Sequence, residues 1–169
     1  PFYINLRNLP EELLTLVAKT IDEVTPKEGI DVCTGIPRAG IPLALEYSKV
    51  SGIPYMDTME KIGVPGTTRQ IVGKKGVDGQ GKRLIIVDDL VTHAGTKLEA
   101  IKAAEGLGFT VVGVTLLFDR EQGGAEELKK MGYQVYSTLK LSDTLNYYLE
   151  KEKINQNQYN GIQEYLQQG

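Results

Sequence analysis

The sequence predicts an α/β protein with a mostly parallel central sheet flanked by helices on both faces. Two observations predict it. Short strand-length apolar runs alternate with stretches whose apolar residues recur at helical spacing, the order of a wound parallel sheet. One such run, residues 84–88, ends in two adjacent acids, followed by a Thr/Gly turn and a helical pattern, the layout of a strand that delivers ligand-binding groups at its carboxyl end.

The elements follow in order. Pro10-Glu11-Glu12 starts a helix that carries Leu13, Leu14, Val17, Ala18 and Ile21 on one face. Residues 30–34 are a short strand, 35–40 a loop, 41–49 a helix and 53–56 a second short strand. Residues 60–82 hold Gly, Lys and Thr with little apolar period and read as a flexible loop, a length that in a compact domain is usually functional. Strand 84–88, helix 97–105, strand 110–118, helix 124–131, strand 133–138 and helix 142–152 come next. The polar tail, 153–169, is rich in Asn and Gln and keeps Tyr159, Ile162 and Leu166 at helical spacing.

Composition narrows the function. A chain of 169 residues suits one domain, 1–169, with room for a core. No apolar run approaches the roughly 20 residues of a membrane helix. A net charge of −3 argues against nucleic-acid or membrane partners. The single Cys33 excludes an internal disulfide and fits a reducing cytoplasm; it reads as core rather than nucleophile. One Cys and one His cannot build a usual structural zinc site. The chain opens on Pro1 with no signal peptide, so an upstream segment is missing or the numbering starts inside a longer chain. Gly76, Gly81 and Lys82 imitate a Walker A loop, but Arg83 stands where Ser or Thr belongs and the run precedes a strand.

The stretch 84–96, LIIVDDLVTHAGT, carries the chemistry. Asp88 and Asp89 can accept hydrogen bonds from sugar hydroxyls, and Thr92, Gly95 and Thr96 lead into a helix whose first N–H groups suit a phosphate. Together they suit a phosphorylated ribose.

That stretch resembles the binding signature of type I phosphoribosyltransferases, which use phosphoribosyl pyrophosphate (PRPP). Residues 1–7 (PFYINLR), 35–44 (GIPRAGIPLA) and 119–124 (DREQGG) resemble the orotate branch in particular, and the similarity covers roughly residues 1–152. The resemblance implies the type I phosphoribosyltransferase fold with a mobile hood loop at 60–82. It implies PRPP contacts from Arg38, Ala39 and Gly40, and from Asp88, Asp89, Leu90, Val91, Thr92, His93, Ala94, Gly95 and Thr96. The base would meet Phe2, Tyr3, Thr92 and Arg120. A cis non-proline peptide is expected near Pro37-Arg38. Mg²⁺ would be held by PRPP oxygens and water, with no direct protein ligand assigned. The implied enzyme is a homodimer that moves the 5-phosphoribosyl group from PRPP to orotate, giving orotidine 5′-phosphate and pyrophosphate in pyrimidine nucleotide synthesis.

Two positions depart from the family pattern. Ala94 stands where Gly is usual, and its methyl group is expected to crowd the phosphate. Met59, Glu60, Gly63 and Pro65 fall where the hood loop's basic residues belong, which leaves Lys61, Arg69, Lys74 and Lys75 nearby. Lys61 is taken as the catalytic cation alongside Asp88 and Asp89. The alternatives are a transferase for uracil or a purine, or a PRPP-binding regulatory protein with weak or no catalysis.

Overall fold

The structure is a computed structural model and describes residues 9–63 and 69–167. Four parallel strands form the central sheet: β1 (Val32–Gly35), β4 (Arg83–Val91), β5 (Thr110–Asp119) and β6 (Gln134–Lys140), side by side in that order. Two further strands, β2 (Met59–Ile62) and β3 (Gln70–Gly73), make a separate antiparallel pair. Helices α1 (Glu11–Val24), α2 (Gly40–Ser51), α3 (Gly95–Glu105), α4 (Gly124–Lys130), α5 (Leu141–Glu150) and α6 (Gln156–Gln167) complete the chain.

The core divides by sheet face, as alternating strand side chains require. Ile85 and Val87 of β4 pack with Val17 and Ile21 of α1, Tyr47 of α2, and Leu141 and Leu145 of α5. Leu84 and Ile86 turn the other way and pack with Ala100 and Ile101 of α3, Leu128 of α4, and Met59 and Ile71 of the hairpin. Both faces are therefore covered, and β4 is buried along most of its length. Glu11 and Glu12 in the first turn of α1 complement the helix dipole.

The expected strand at 53–56 reduces to one parallel bridge between Cys33 and Tyr55. Pro54 lacks the N–H that would extend the ladder, although its carbonyl accepts from Cys33 N at 2.9 Å. That bridge lies on the opposite side of β1 from β4. The chain thus moves one way from β1 through α2, then returns past β1 to form β4. This reversal makes the gap between β1 and β4 a topological switch point, where open α/β sheets hold ligands.

Three other expectations shift. Residues 60–82 are not one irregular loop, because β2 and β3 form within and beside them with Lys61 opposite Ile71; residues 64–68 lie outside the described residues. Strand 84–88 extends to Val91, because β5 continues to pair with it through Leu90↔Phe118 and Val91↔Asp119. The helix expected at 97 begins at Gly95, so Gly95 and Thr96 form its first turn. The tail is helical, with Tyr159, Ile162 and Leu166 against the α1–α2 face.

Candidate active site

Two loops meet at the switch point. The first, after β1, is tight: a Cβ on Gly35 would fall 2.4 Å from the Gly40 carbonyl oxygen, so only glycine permits this return. The Pro37-Arg38 peptide bond is cis. Arg38 is exposed. The second loop, after β4, runs through Thr92, His93 and Ala94 into α3. Ala94 occupies the N-cap position and supplies no side-chain cap, which leaves the first amides of α3 to other acceptors.

A cleft of about 530 Å³ opens beside these loops. Arg38 and Ala39 come from the first loop, Asp89 from β4, and Lys61 and Arg69 from the hairpin. Leu14, Val17, Leu43 and Leu117 form its apolar floor. Among these described lining residues three are cationic and one is anionic, so the cleft suits a ligand with more than one negative charge and a hydroxylated part near Asp89.

Asp89 also accepts a hydrogen bond from the Leu90 amide at 2.8 Å, which fixes its carboxylate. Asp88 points to the other face of the sheet. Its side chain is 6% exposed, and its Oδ2 lies 2.8 Å from Lys97 Nζ, itself 7% exposed. Burial pushes the Asp88 carboxyl up to about 6, opposed by the Lys97 charge and reinforced by Asp89. Lys97 Nζ also donates to the Leu90 carbonyl oxygen at 2.5 Å.

The turn after β5 packs directly behind the second loop. Arg120 N donates to the Val91 carbonyl at 3.0 Å, and Gly124 N donates to the Thr92 carbonyl at 3.0 Å. A Cβ on Gly124 would approach that Thr92 oxygen to 2.6 Å, so the contact needs glycine. Glu121 accepts from Ser142 N at 2.6 Å and from Ser142 Oγ at 3.0 Å at the start of α5, and Asp119 accepts from Glu121 N at 2.8 Å. Burial raises the Asp119 carboxyl above its ordinary value.

A family profile described as the phosphoribosyl transferase domain matches residues 6–141. The chain is 35% identical over 173 residues to the orotate phosphoribosyltransferase of Pyrobaculum aerophilum, covering 99% of this chain and 86% of that protein. The chain belongs to the orotate phosphoribosyltransferase family. Among solved structures, Leishmania donovani UMP synthase superposes with a TM-score of 0.83 at 29% identity, covering all of this chain and 36% of that longer one. Mycobacterium tuberculosis orotate phosphoribosyltransferase in complex with PRPP gives a TM-score of 0.65 at 26% identity, covering 83% of this chain and 82% of that one.

In this phosphoribosyltransferase the residues expected at the site do not all reach the cleft. Arg38, Ala39, Asp89 and Lys61 line it, and Gly40 starts α2 beside it. Asp88 does not line it: the strand runs on past both acids, so alternation sends the two carboxylates to opposite faces. Ala94 is fully buried in the core against α3, so its methyl group turns inward instead of crowding a phosphate. His93, Gly95 and Thr96 are exposed and Thr92 is half-buried. Leu90 is half-buried and Val91 is buried, and neither is among the described residues of the cleft wall. Arg120 is half-buried behind the Thr92 turn and is not among the described residues of the cleft wall. Phe2 and Tyr3 lie outside the described residues. Cys33 is buried, and burial pushes its thiol up to about 12, which keeps it protonated and part of the core.

Two residues at the site were not assigned from sequence. Arg69, in sequence one of several cations near the hood loop, lines the cleft beside Lys61. Lys97, where the helical pattern starts in the sequence, is the other. A signal was present: Lys97 shares the stripe of Ala100, Ile101 and Ala104, the buried face of α3.

Proposed function

We propose that this enzyme transfers the 5-phosphoribosyl group from PRPP to orotate, giving orotidine 5′-phosphate and pyrophosphate. The observation that carries the reading is the charge layout of the switch-point cleft. One carboxylate, Asp89, faces a region entered by Arg38, Lys61 and Arg69. Asp89 accepts hydrogen bonds from the ribose hydroxyls, each charge-assisted bond contributing about 1.5–3 kcal/mol. Its charge also favours the positive charge that builds at C1 as the bond to pyrophosphate breaks. Arg38 offers a planar donor fork to the pyrophosphate, and Lys61 and Arg69 add cations that offset charge on the leaving group. The turn 92–96 and the first amides of α3 hold the 5′-phosphate. Orotate attacks C1 directly, so the protein acts by positioning and charge stabilisation, with no covalent enzyme intermediate. Phe2, Tyr3 and Arg120 are proposed to hold the base, with Thr92 reaching both base and phosphate.

Mg²⁺ is proposed as the cofactor. Asp89 is the one oxygen-donor side chain among the described lining residues of the cleft, which fits a cation held mainly by substrate oxygens and water rather than by the protein. When bound, Mg²⁺ would offset charge on the pyrophosphate. A homodimer is proposed from the family resemblance, and sedimentation velocity checks it: one species at the monomer mass would refute it. No helix among the described residues is long and apolar enough to cross a membrane.

The deciding experiment supplies PRPP, Mg²⁺ and orotate and follows orotidine 5′-phosphate and pyrophosphate together. Equimolar formation of both is expected. PRPP binding without turnover would replace the reading by a regulatory one, and turnover only with uracil or a purine would change the base.

A further inference from the structure

We propose that Lys97 is a positioning residue for the 5′-phosphate loop, acting as a buried clip across its base. The proposal rests on the reading of the cleft as a phosphoribosyl site. Three observations carry it. Lys97 is the third residue of α3, while both of its partners lie on β4: Asp88 Oδ2 at 2.8 Å and the Leu90 carbonyl at 2.5 Å. The loop residues Thr92, His93 and Ala94 lie between those partners and the helix, so one ammonium group fixes the two ends of the loop relative to each other. The charge is deeply buried on both sides of the pair, so water does not compete for it.

The second partner ties this clip to the other loop. A Cβ on Gly40, the first residue of α2, would lie 3.0 Å from Asp88 Oδ1 and 2.7 Å from the Val87 carbonyl. Asp88 is thus wedged between the start of α2 on one oxygen and Lys97 of α3 on the other. It does not line the cleft; it sets where the helix that receives the 5′-phosphate begins. Ala94 occupies the N-cap and no side chain caps α3. The amides offered to phosphate are placed by the clip rather than by a local cap.

The test separates the two ends of PRPP. Calorimetric titration with ribose 5-phosphate reads the 92–96 loop together with Asp89, which none of the variants changes, and titration with inorganic pyrophosphate reads the Arg38 side. Three chains are compared: wild type, K97M, and D88N/K97M, which replaces the buried ion pair with two uncharged side chains of similar size. Both variants are expected to bind ribose 5-phosphate about tenfold more weakly, because the loop and the first amides of α3 are no longer held in the geometry that receives the phosphate, while pyrophosphate affinity stays within about threefold. Equal weakening of both ligands would mean that Lys97 only supports the fold, and unchanged ribose 5-phosphate binding would remove the clip altogether; either overturns the proposal. The wild-type chain gives a readout that needs no variant. The ¹⁵N signal of the Lys97 ammonium should shift on saturation with ribose 5-phosphate and stay in place with pyrophosphate, and a Lys97 signal indifferent to ribose 5-phosphate overturns the proposal. A wild-type chain that binds neither ligand overturns the phosphoribosyl reading itself, a result distinct from normal wild-type binding with unaffected variants.

Discussion

A β-strand sends successive side chains to opposite faces, and at Asp88 and Asp89 that alternation separates two carboxylates joined by one peptide bond. Asp89 meets the cleft, while Asp88 meets Lys97 in the interior. Asp89→Asn should therefore lower kcat/KM for PRPP by about 10- to 100-fold, the worth of its hydroxyl contacts, with an unchanged melting temperature. Asp88 and Lys97 should behave in the opposite way. Removing one partner strands a buried charge, and each single variant should lose about 3–5 kcal/mol of stability, most of it regained in D88N/K97M. The pH dependence has a definite sign. The folded Asp88 carboxyl titrates near 6, above its value of 3.8 in the open chain, so its stabilising contribution is full below about 4 and is lost as pH rises through about 6. Melts of wild type and D88N/K97M from about pH 4 to 7 should show the double variant gaining on wild type as pH rises. A difference that does not change with pH would contradict the burial of Asp88.

At the scale of elements, sequence legibility tracked the length of the apolar signal. β4, β5 and α1 carry long or strongly periodic apolar patterns and were found within a few residues. The hairpin was not, because its strands have only four residues each and β2 exposes Glu60, Lys61 and Ile62. Four residues with one buried side chain give no period to read. The end of β4 is hidden in the sequence for a different reason. Its apolar run stops at Val87, but pairing with β5 continues to Val91, and partner strands are not visible from one stretch of sequence. The hairpin has a functional consequence, since it brings Lys61 and Arg69 to the same cleft as Arg38. Lys61→Ala and Arg69→Ala should each weaken pyrophosphate affinity about tenfold, one charge-assisted contact apiece, and leave ribose 5-phosphate affinity unchanged. An effect on ribose 5-phosphate alone would place the hairpin cations at the wrong end of the substrate.

Across the whole molecule, the groups of the proposed site come from segments far apart in sequence: the loop after β1, the hairpin, the loop after β4 and, packed behind that loop, the turn after β5. The reversal of winding around β1 brings the first and third of these to one crevice, and Gly124 N on the Thr92 carbonyl fastens the fourth to the third. A ligand that touches only one loop stabilises one part of this arrangement. On the proposed reading PRPP spans both the Arg38 loop and the 92–96 loop, so it should tighten the molecule more than either fragment at equal concentration. A ligand present at 100 times its Kd adds about 2.7 kcal/mol to folding stability. For a domain of this size, about 1 kcal/mol moves the melting temperature by about 2–4 °C. PRPP with Mg²⁺ at that saturation should therefore raise the melting temperature by about 5–10 °C. Ribose 5-phosphate and pyrophosphate, each tested at the same concentration, should give smaller shifts because each reaches one loop and binds more weakly. If either fragment alone reproduced the full PRPP shift, the two loops would not be working as one site, and the switch-point crevice would bind only half of the substrate.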